Sequence, residues 1–482
     1  MEYRWLLVYD RYDGLAKKAA NLLSGTVSGL LGYVLPVKPA SQLTGEDMAA
    51  HDLICLGDSS NPVLRACIGE GLLTMPGKAE GYGILVGKNP LAPERQLVAV
   101  CGEDDAGLFY GCADFCGRYC GDLLYRDGYL WDRNHFNAPM ERPLAPWSIS
   151  AAPAIPTRAI WTWGHVIYDY RGFLENMAKL RLNEIVIWND RAPLNADDVA
   201  EYAHSLGIKV IWGFAWGWDT GCKVELERLD DAALLRLRES VLETYDREYA
   251  RAKGDGIYFQ SFTELNEDAV GGKCIAEVVT DLVNDIAGAL LEKYPQLHIQ
   301  FGLHATSVKT HRDIIARTDP RVHIVWEDCG AFPWHYETDK TENFEETLAF
   351  TASLLTLRGE NERFGAVLKG MMNLDWHAFE HFTAPYILGE RTAAYIERRT
   401  GEKERLWKYV QAGWMKNLPL VQKTVSCIAR GSASPIVEAL VEDGMLESRI
   451  MLPTALYAAL LWEPDRDITE LLEETARSSF VD

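Results

Sequence analysis

Residues 157–190 read TRAIWTWGHVIYDYRGFLENMAKLRLNEIVIWND. Two apolar runs, AIWTWGH (159–165) and EIVIWND (184–190), flank FLENMAKLRL, whose apolar residues recur at helical spacing. The runs are nearly continuous in apolar character, as expected of parallel strands covered on both faces. The stretch therefore predicts one strand–helix–strand unit. The pattern repeats downstream. KVIWGFAWGWD (209–219), GIYFQSFTE (256–264), HIQFGLH (298–304), RVHIVWED (321–328) and FGAVLKGMMNLDW (364–376) are further candidate strands. NADDVAEYAHSLG and CIAEVVTDLVNDIAGALLEKY are amphipathic helices among them. Seven legible units in roughly 230 residues predict a TIM-like (β/α)8 barrel rather than a doubly wound sheet. The eighth strand is not evident.

Upstream, residues 1–137 read as a small α/β domain. RWLLVYD, DLICLGD, GYGILVG and QLVAVCG are short apolar runs bounded by turn residues, with helical spacing between them. Prolines at 139, 143, 146, 153 and 156 mark 138–157 as a stiff extended linker. The barrel is expected over 158–384 and a mostly helical region over 385–482. The predicted fold class is thus α/β, a barrel preceded by a small α/β domain and followed by helices.

The 482 residues suit two or three domains, and 48% hydrophobic with 24% charged residues describes ample core material. A net charge of −22 argues against a nucleic-acid partner, because phosphate neutralisation needs clustered Lys and Arg. The first apolar run is too short for a signal peptide or a membrane span, so a cytoplasmic address and no membrane partner are expected. A homo-oligomer is left open. Ten cysteines form no CxxC pair. Cys112, Cys116 and Cys120 recur every fourth residue along one helix face, and burial as small apolar residues explains them better than a metal site. No cofactor and no metal are expected.

A barrel builds its active site from the C-terminal ends of its strands and the loops that follow. Those ends carry Trp161, Trp163 and His165; Trp188, Asn189 and Asp190; Trp212, Trp216, Trp218 and Asp219; Glu264; His304; Trp326, Glu327 and Asp328; and Asp375, Trp376 and His377. Indoles beside carboxylates, Asn and His suit a carbohydrate, whose C–H faces stack on rings while its hydroxyls need polar partners. Any single tryptophan is as readily core filler, and Asp190 or Asp219 as readily a helix N-cap. Hydrolysis of a glycosidic bond needs two carboxylates. Glu264 is the expected general acid, and Glu327 or Asp328, two strands on, the second carboxylate. A separation of about 5–5.5 Å would mean retention of configuration, and about 6.5–9.5 Å inversion. HAFEH (377–381) also fits the inverted zinc-peptidase signature H-x-x-E-H, a remote alternative to a sugar-binding or packing role.

The same residues resemble a known superfamily. The 157–190 stretch resembles the opening of the catalytic barrel in family 20 glycoside hydrolases, the β-N-acetylhexosaminidases, and EYAHSLGIKVIWGF (201–214) resembles their next segment. GEDDAGLFYGCADF (102–115) is similar to the small domain preceding such barrels and those of the related family 67 α-glucuronidases. ALYAALLWEPDRDITELLEE (455–474) resembles a helix of family 67. The resemblance implies that Arg158 holds sugar hydroxyls and that Glu264 is the acid. Family 20 places Asp just before that Glu to stabilise the substrate's acetamido group, whereas this chain has Thr263. Family 67 has Ser-Glu there, inverts, and takes its base from later strands, an arrangement closer to SFTE followed by Glu327 and Asp328. A uronic acid would need cations at the exits, where Arg158, Arg191 and Lys369 stand. The expected function is an exo-acting glycoside hydrolase removing a terminal sugar, N-acetylhexosaminide favoured. An inverting α-glucuronidase-like hydrolase and a non-catalytic sugar-binding barrel are the alternatives. The substrate-binding set is Arg158, Trp161, Trp163, Asn189, Asp190, Trp212, Trp216, His304, Trp326, Asp375 and Trp376.

Overall fold

A computed structural model describes residues 3–127, 138–189, 191–217, 229–263, 265, 267–304, 308–330, 344–369, 384–441 and 446–482. The first sheet contains β1 (Trp5–Val8), β2 (Val37–Lys38), β3 (Asp52–Gly57), β4 (Tyr82–Asn89), β5 (Ala92–Gly102) and β6 (Trp147–Ala151). Its order is β2-β1-β3-β5-β4-β6. β1, β2, β3 and β5 run parallel, while β4 pairs antiparallel with β5 and β6. Helix Gly14–Leu31 covers one face through Ala16, Ala19, Leu23 and Val27, and helix Pro62–Gly69 covers the other through Val63, Leu64 and Cys67. β6 lies inside the expected linker. The proline-rich stretch is therefore not all connector, since Trp147–Ala151 closes one edge of the first sheet.

The second unit is a closed barrel. Its strands are β7 (Thr157–Trp163), β8 (Glu184–Trp188), β9 (Lys209–Ala215) and β10 (Gly256–Gln260). A short hairpin, β11 (Ala269–Val270) with β12 (Lys273–Cys274), then precedes β13 (His298–Leu303), β14 (His323–Gly330), β15 (Phe364–Leu368) and β16 (Ile436–Val441). All eight barrel pairings are parallel, in the order β10-β13-β14-β15-β16-β7-β8-β9. The strand missing from the sequence reading is β16, which lies within the region expected to be helical. The barrel accordingly runs from Thr157 to Val441 rather than over 158–384. Helices Ala393–Lys416 and Leu418–Gly431 form the crossover before β16, and Leu452–Trp462 and Ile468–Ala476 follow it.

Short polar residues start the covering helices where the chain leaves a strand. Asp169 accepts from Arg171 N at 3.0 Å and Asp230 from Ala233 N at 2.7 Å, satisfying amide donors that a helix start leaves unpaired. Helix Leu452–Trp462 is buried from Pro453 onward, and Tyr457 Oη lies 2.8 Å from Ala159 O and 2.9 Å from Val437 O, fastening β7 to β16. Inside the barrel, large side chains oppose glycines. A Cβ on Gly213 would stand 2.8 Å from Trp188, and one on Gly302 would overlap the Tyr258 ring. Those two glycines make room for the rings that floor the barrel's upper end. Cys112, Cys116 and Cys120 are all buried and unbridged. Among the described residues no helix is long and apolar enough to cross a membrane.

Candidate active site

Side chains alternate between the lumen and the helix layer along each strand, with a period of two. At the C-terminal ends the lumen-facing positions are Trp161 and Trp163 on β7, Trp188 on β8, Tyr258 and Gln260 on β10, and Glu327 on β14. His304 and Lys369 follow β13 and β15 directly. Trp161, Trp163, Trp188 and Tyr258 form one buried aromatic cluster. The Trp161 and Trp188 rings lie 5.7 Å apart at 27°, and Trp161 meets Trp163 edge-on at 4.8 Å.

Glu327 is the hub of the polar groups. Its side chain is about 6% exposed, so its charge needs partners. Tyr258 Oη donates to Oε1 at 2.7 Å, and Gln260 Nε2 donates to the same oxygen. His304 Nε2 lies 3.0 Å from Oε2 and Lys369 Nζ 3.4 Å from it. Burial pushes the carboxyl pKa up, but His304 and Lys369 outweigh it and hold the group well below the ordinary carboxylate range. Tyr258 moves the opposite way, raised first by burial and then by the charge of Glu327. The site thus favours an ionised carboxylate, joined through Tyr258 to the aromatic cluster.

Below that hub the lumen holds two more acids. Glu184 Oε1 accepts from Gln300 Nε2 at 2.7 Å, while Glu184 Oε2 and Gln300 Oε1 find no partner. Burial raises the Glu184 pKa to about 7. Glu438, on the inward face of β16, is fully buried with neither carboxylate oxygen hydrogen-bonded. Its pKa is pushed well up, first by burial and then by the charges of Glu184 and Glu327. Ionised, such a group would be strongly destabilising; a proton removes most of that cost. One lumen therefore combines a carboxylate held ionised at the top with carboxyls biased toward the neutral form beneath.

The expected site residues separate into four groups. Trp161, Trp163, His304 and Glu327 come together at the mouth. Asn189 is adjacent, with its amide donating to Arg191 O at 3.0 Å. Trp212, Trp216 and Trp326 face the other way, into the core between strands and helices. Trp212 Nε1 donates to Ala252 O at 3.2 Å, Trp216 stacks on Phe259 with centroids 3.5 Å apart, and Trp326 meets Phe350 edge-on at 5.9 Å. Each is one residue out of phase with a lumen position, so these three are packing residues. Arg158 is also displaced. It sits at the N-terminal end of β7, fully buried, 2.7 Å from Glu80 and donating to the carbonyls of Arg181, Ile155 and Pro156. Its guanidinium lies over the rings of Trp462 and Tyr110. It joins the barrel to the first domain, at the end opposite the mouth. Glu264, Asp190, Asp375 and Trp376, with the HAFEH motif, lie outside the described residues, and Asp328 is described for its backbone alone.

Tyr258 and Gln260 were missed in the sequence. Counting in twos along GIYFQ would have found them, because they share a face with each other. Among the described residues no group of His, Cys, Asp and Glu is placed to hold a metal ion.

No family model matches the sequence, and no curated protein matches it. Among solved structures, one titled "Structure of CpGH84D" aligns over 98% of this chain and 88% of its own, at 10% sequence identity and a TM-score of 0.44. So distant an alignment carries no functional weight, and the functional reading rests on the side chains of the mouth.

Proposed function

We propose that the chain is an exo-acting glycoside hydrolase that removes a terminal neutral sugar, N-acetylhexosaminide favoured. The observation that carries this reading is Glu327, a buried carboxylate with Gln260, His304 and Lys369 around it and joined through Tyr258 to the Trp161, Trp163 and Trp188 cluster. A general base must take up a proton near the working pH, and a carboxylate held this low does so poorly. Its suited role is to face the positive charge that develops at the anomeric carbon, either bonding to that carbon or stabilising it. Glu264, which the resemblance makes the proton donor, completes the pair of carboxylates in this proposal.

The placement of cations favours a neutral sugar over a uronic acid. Arg158 is at the wrong end of the barrel, Arg191 is exposed, and the charge of Lys369 is balanced by Glu327. An α-glucuronidase-like activity is accordingly the weaker alternative. A panel of aryl glycosides carrying GlcNAc, GalNAc, glucuronate and neutral hexoses in both anomers tests the proposal. Release of the phenol from a neutral glycoside supports it. Turnover of the glucuronide alone overturns the neutral-sugar assignment, and tight binding without turnover of any member identifies a sugar-binding barrel.

A further inference from the structure

An open cleft of about 710 Å³ runs along the outer wall of the barrel, between helix Asp231–Thr244, helix Ile275–Lys293 and the β11–β12 hairpin. That is room for the anchoring side chains of a partner. Its apolar lining is Leu234, Leu235, Val278 and Leu282, and Leu235 stands 54% exposed. Ion pairs bridge the two walls, Lys273 with Asp231 at 2.8 Å near the start of both helices and Arg238 with Asp285 at 2.7 Å further along. Between those pairs, Glu277 and Asp281 stand exposed one turn apart on one wall and enter no ion pair among the described residues. An apolar floor with two unbalanced carboxylates at its rim suits an apolar side chain flanked by cations.

The chain itself carries such a feature on the far side of the barrel. Helix Ala393–Lys416 has six Lys or Arg against three Glu, in a protein of net charge −22. Trp407, Gln411 and Trp414 form its buried stripe. The opposite face presents Tyr409, 79% exposed, with Arg405 one turn before it and Lys408 beside it, both exposed. Among the described residues Arg405 enters no ion pair, and Lys408 pairs only with Glu404 of the same helix, at 2.8 Å. Tyr and Arg are the residues that most often anchor interfaces.

We propose that the cleft is a self-association surface, taking Tyr409 of a second copy onto its apolar lining, with that copy's Arg405 and Lys408 facing Glu277 and Asp281. The cleft's helices flank β10, and helix Ala393–Lys416 precedes β16, which is four strands from β10 in either direction around the barrel. The two surfaces of one copy therefore lie on opposite sides and cannot meet each other. Each copy gives its helix to one neighbour and receives a helix from another. Such a head-to-tail contact builds a ring or an open chain, not a two-fold dimer. One helix in one groove buries less than a standard interface, so the contact is weak, with a dissociation constant of about 10–100 µM. It stands apart from the barrel mouth and is independent of the hydrolase reading.

Sedimentation velocity of the wild type from about 1 to about 300 µM tests the proposal. The weight-average sedimentation coefficient should rise with concentration and pass that of a dimer. Glu277→Lys with Asp281→Lys reverses the cleft, and Arg405→Glu with Lys408→Glu reverses the helix. Each double variant alone should stay monomeric, because its own cleft and helix then carry like charge. An equimolar mixture of the two should associate again, since the unaltered helix of the first fits the unaltered cleft of the second. Misfolding cannot produce that recovery. If either double variant does not fold, Tyr409→Ser on the exposed face should weaken association about tenfold. A wild type that stays monomeric throughout overturns the proposal. Oligomers that neither double variant disturbs, or variants that fail to recover on mixing, overturn it equally.

Discussion

Replacing Glu184 by Gln should make the protein more stable at neutral pH and leave it little changed in acid. Glu184 Oε2 and Gln300 Oε1 are both buried acceptors without a donor, on side chains already joined by Gln300 Nε2 donating to Glu184 Oε1. A proton on the acid would serve Gln300, and an amide at position 184 supplies that hydrogen permanently. Burial raises the Glu184 pKa from 4.5 to about 7. The folded state therefore keeps a proton that the unfolded chain releases. The stability linked to that proton is full below about pH 4.5, drains as pH rises to about 7, and is flat above. At about 1.4 kcal/mol per pH unit, the loss is about 3 kcal/mol. Urea unfolding of wild type and Glu184→Gln at pH 5 and pH 8, followed by tryptophan fluorescence, measures it. The two proteins should be similar at pH 5, with the variant ahead by about 3 kcal/mol at pH 8. Glu438 adds a slope of its own, smaller in the variant because the Glu184 charge helps to raise its pKa. A difference constant from pH 5 to 8, or a variant weaker at pH 8, refutes a lumen acid that prefers to stay neutral.

Other outcomes follow from the same geometry. Lys369→Met removes one of the two cations holding Glu327 ionised, so its carboxyl pKa should rise and an acid limb that lies below the accessible range in the wild-type kcat profile should move up into it. An unmoved limb separates Lys369 from the chemistry. Arg158→Leu strips an ion pair whose arginine is fully buried, with three carbonyl contacts, and should cost about 3 kcal/mol in urea unfolding while leaving kcat nearly unchanged, the reverse of a substrate-binding role. Trp326→Ala should likewise lower the unfolding midpoint with little effect on KM, whereas Trp163→Ala at the mouth should raise KM. Equal kinetic effects from both would contradict the inward and outward assignment.

Much of the fold could be read from apolar runs, and the reason the rest could not is physical. Seven strands are legible because parallel strands buried on both faces are nearly continuous in Val, Ile, Leu and aromatic residues. β16, IVEALV, carries Glu438 inward and sits between helical stretches, so its carboxylate resembles the polar face of the helices on either side. β6 alternates half-buried with exposed residues at a sheet edge and sits among prolines, which hid it in the linker. For the site, strand ends indicate position along the barrel but not which way a side chain points. Trp326 and Glu327 are neighbours in sequence and lie on opposite sides of the wall. Arg158 resembles a ligand-binding arginine by its place at the start of β7, yet the start of a barrel strand is the end remote from the mouth. Tyr258 and Gln260 were hidden by the apolar look of their strand, and only Glu327, two strands away, shows what they are for.

The most direct measurement is hydrolysis of the preferred neutral aryl glycoside by Glu327→Gln, with the fold checked by near-ultraviolet circular dichroism. The substitution keeps size and removes the charge. A fall in kcat of about 10³-fold or more with the fold intact is the expected result. Turnover within a few-fold of wild type would mean that the buried carboxylate at the mouth is structural and that the chemistry lies elsewhere.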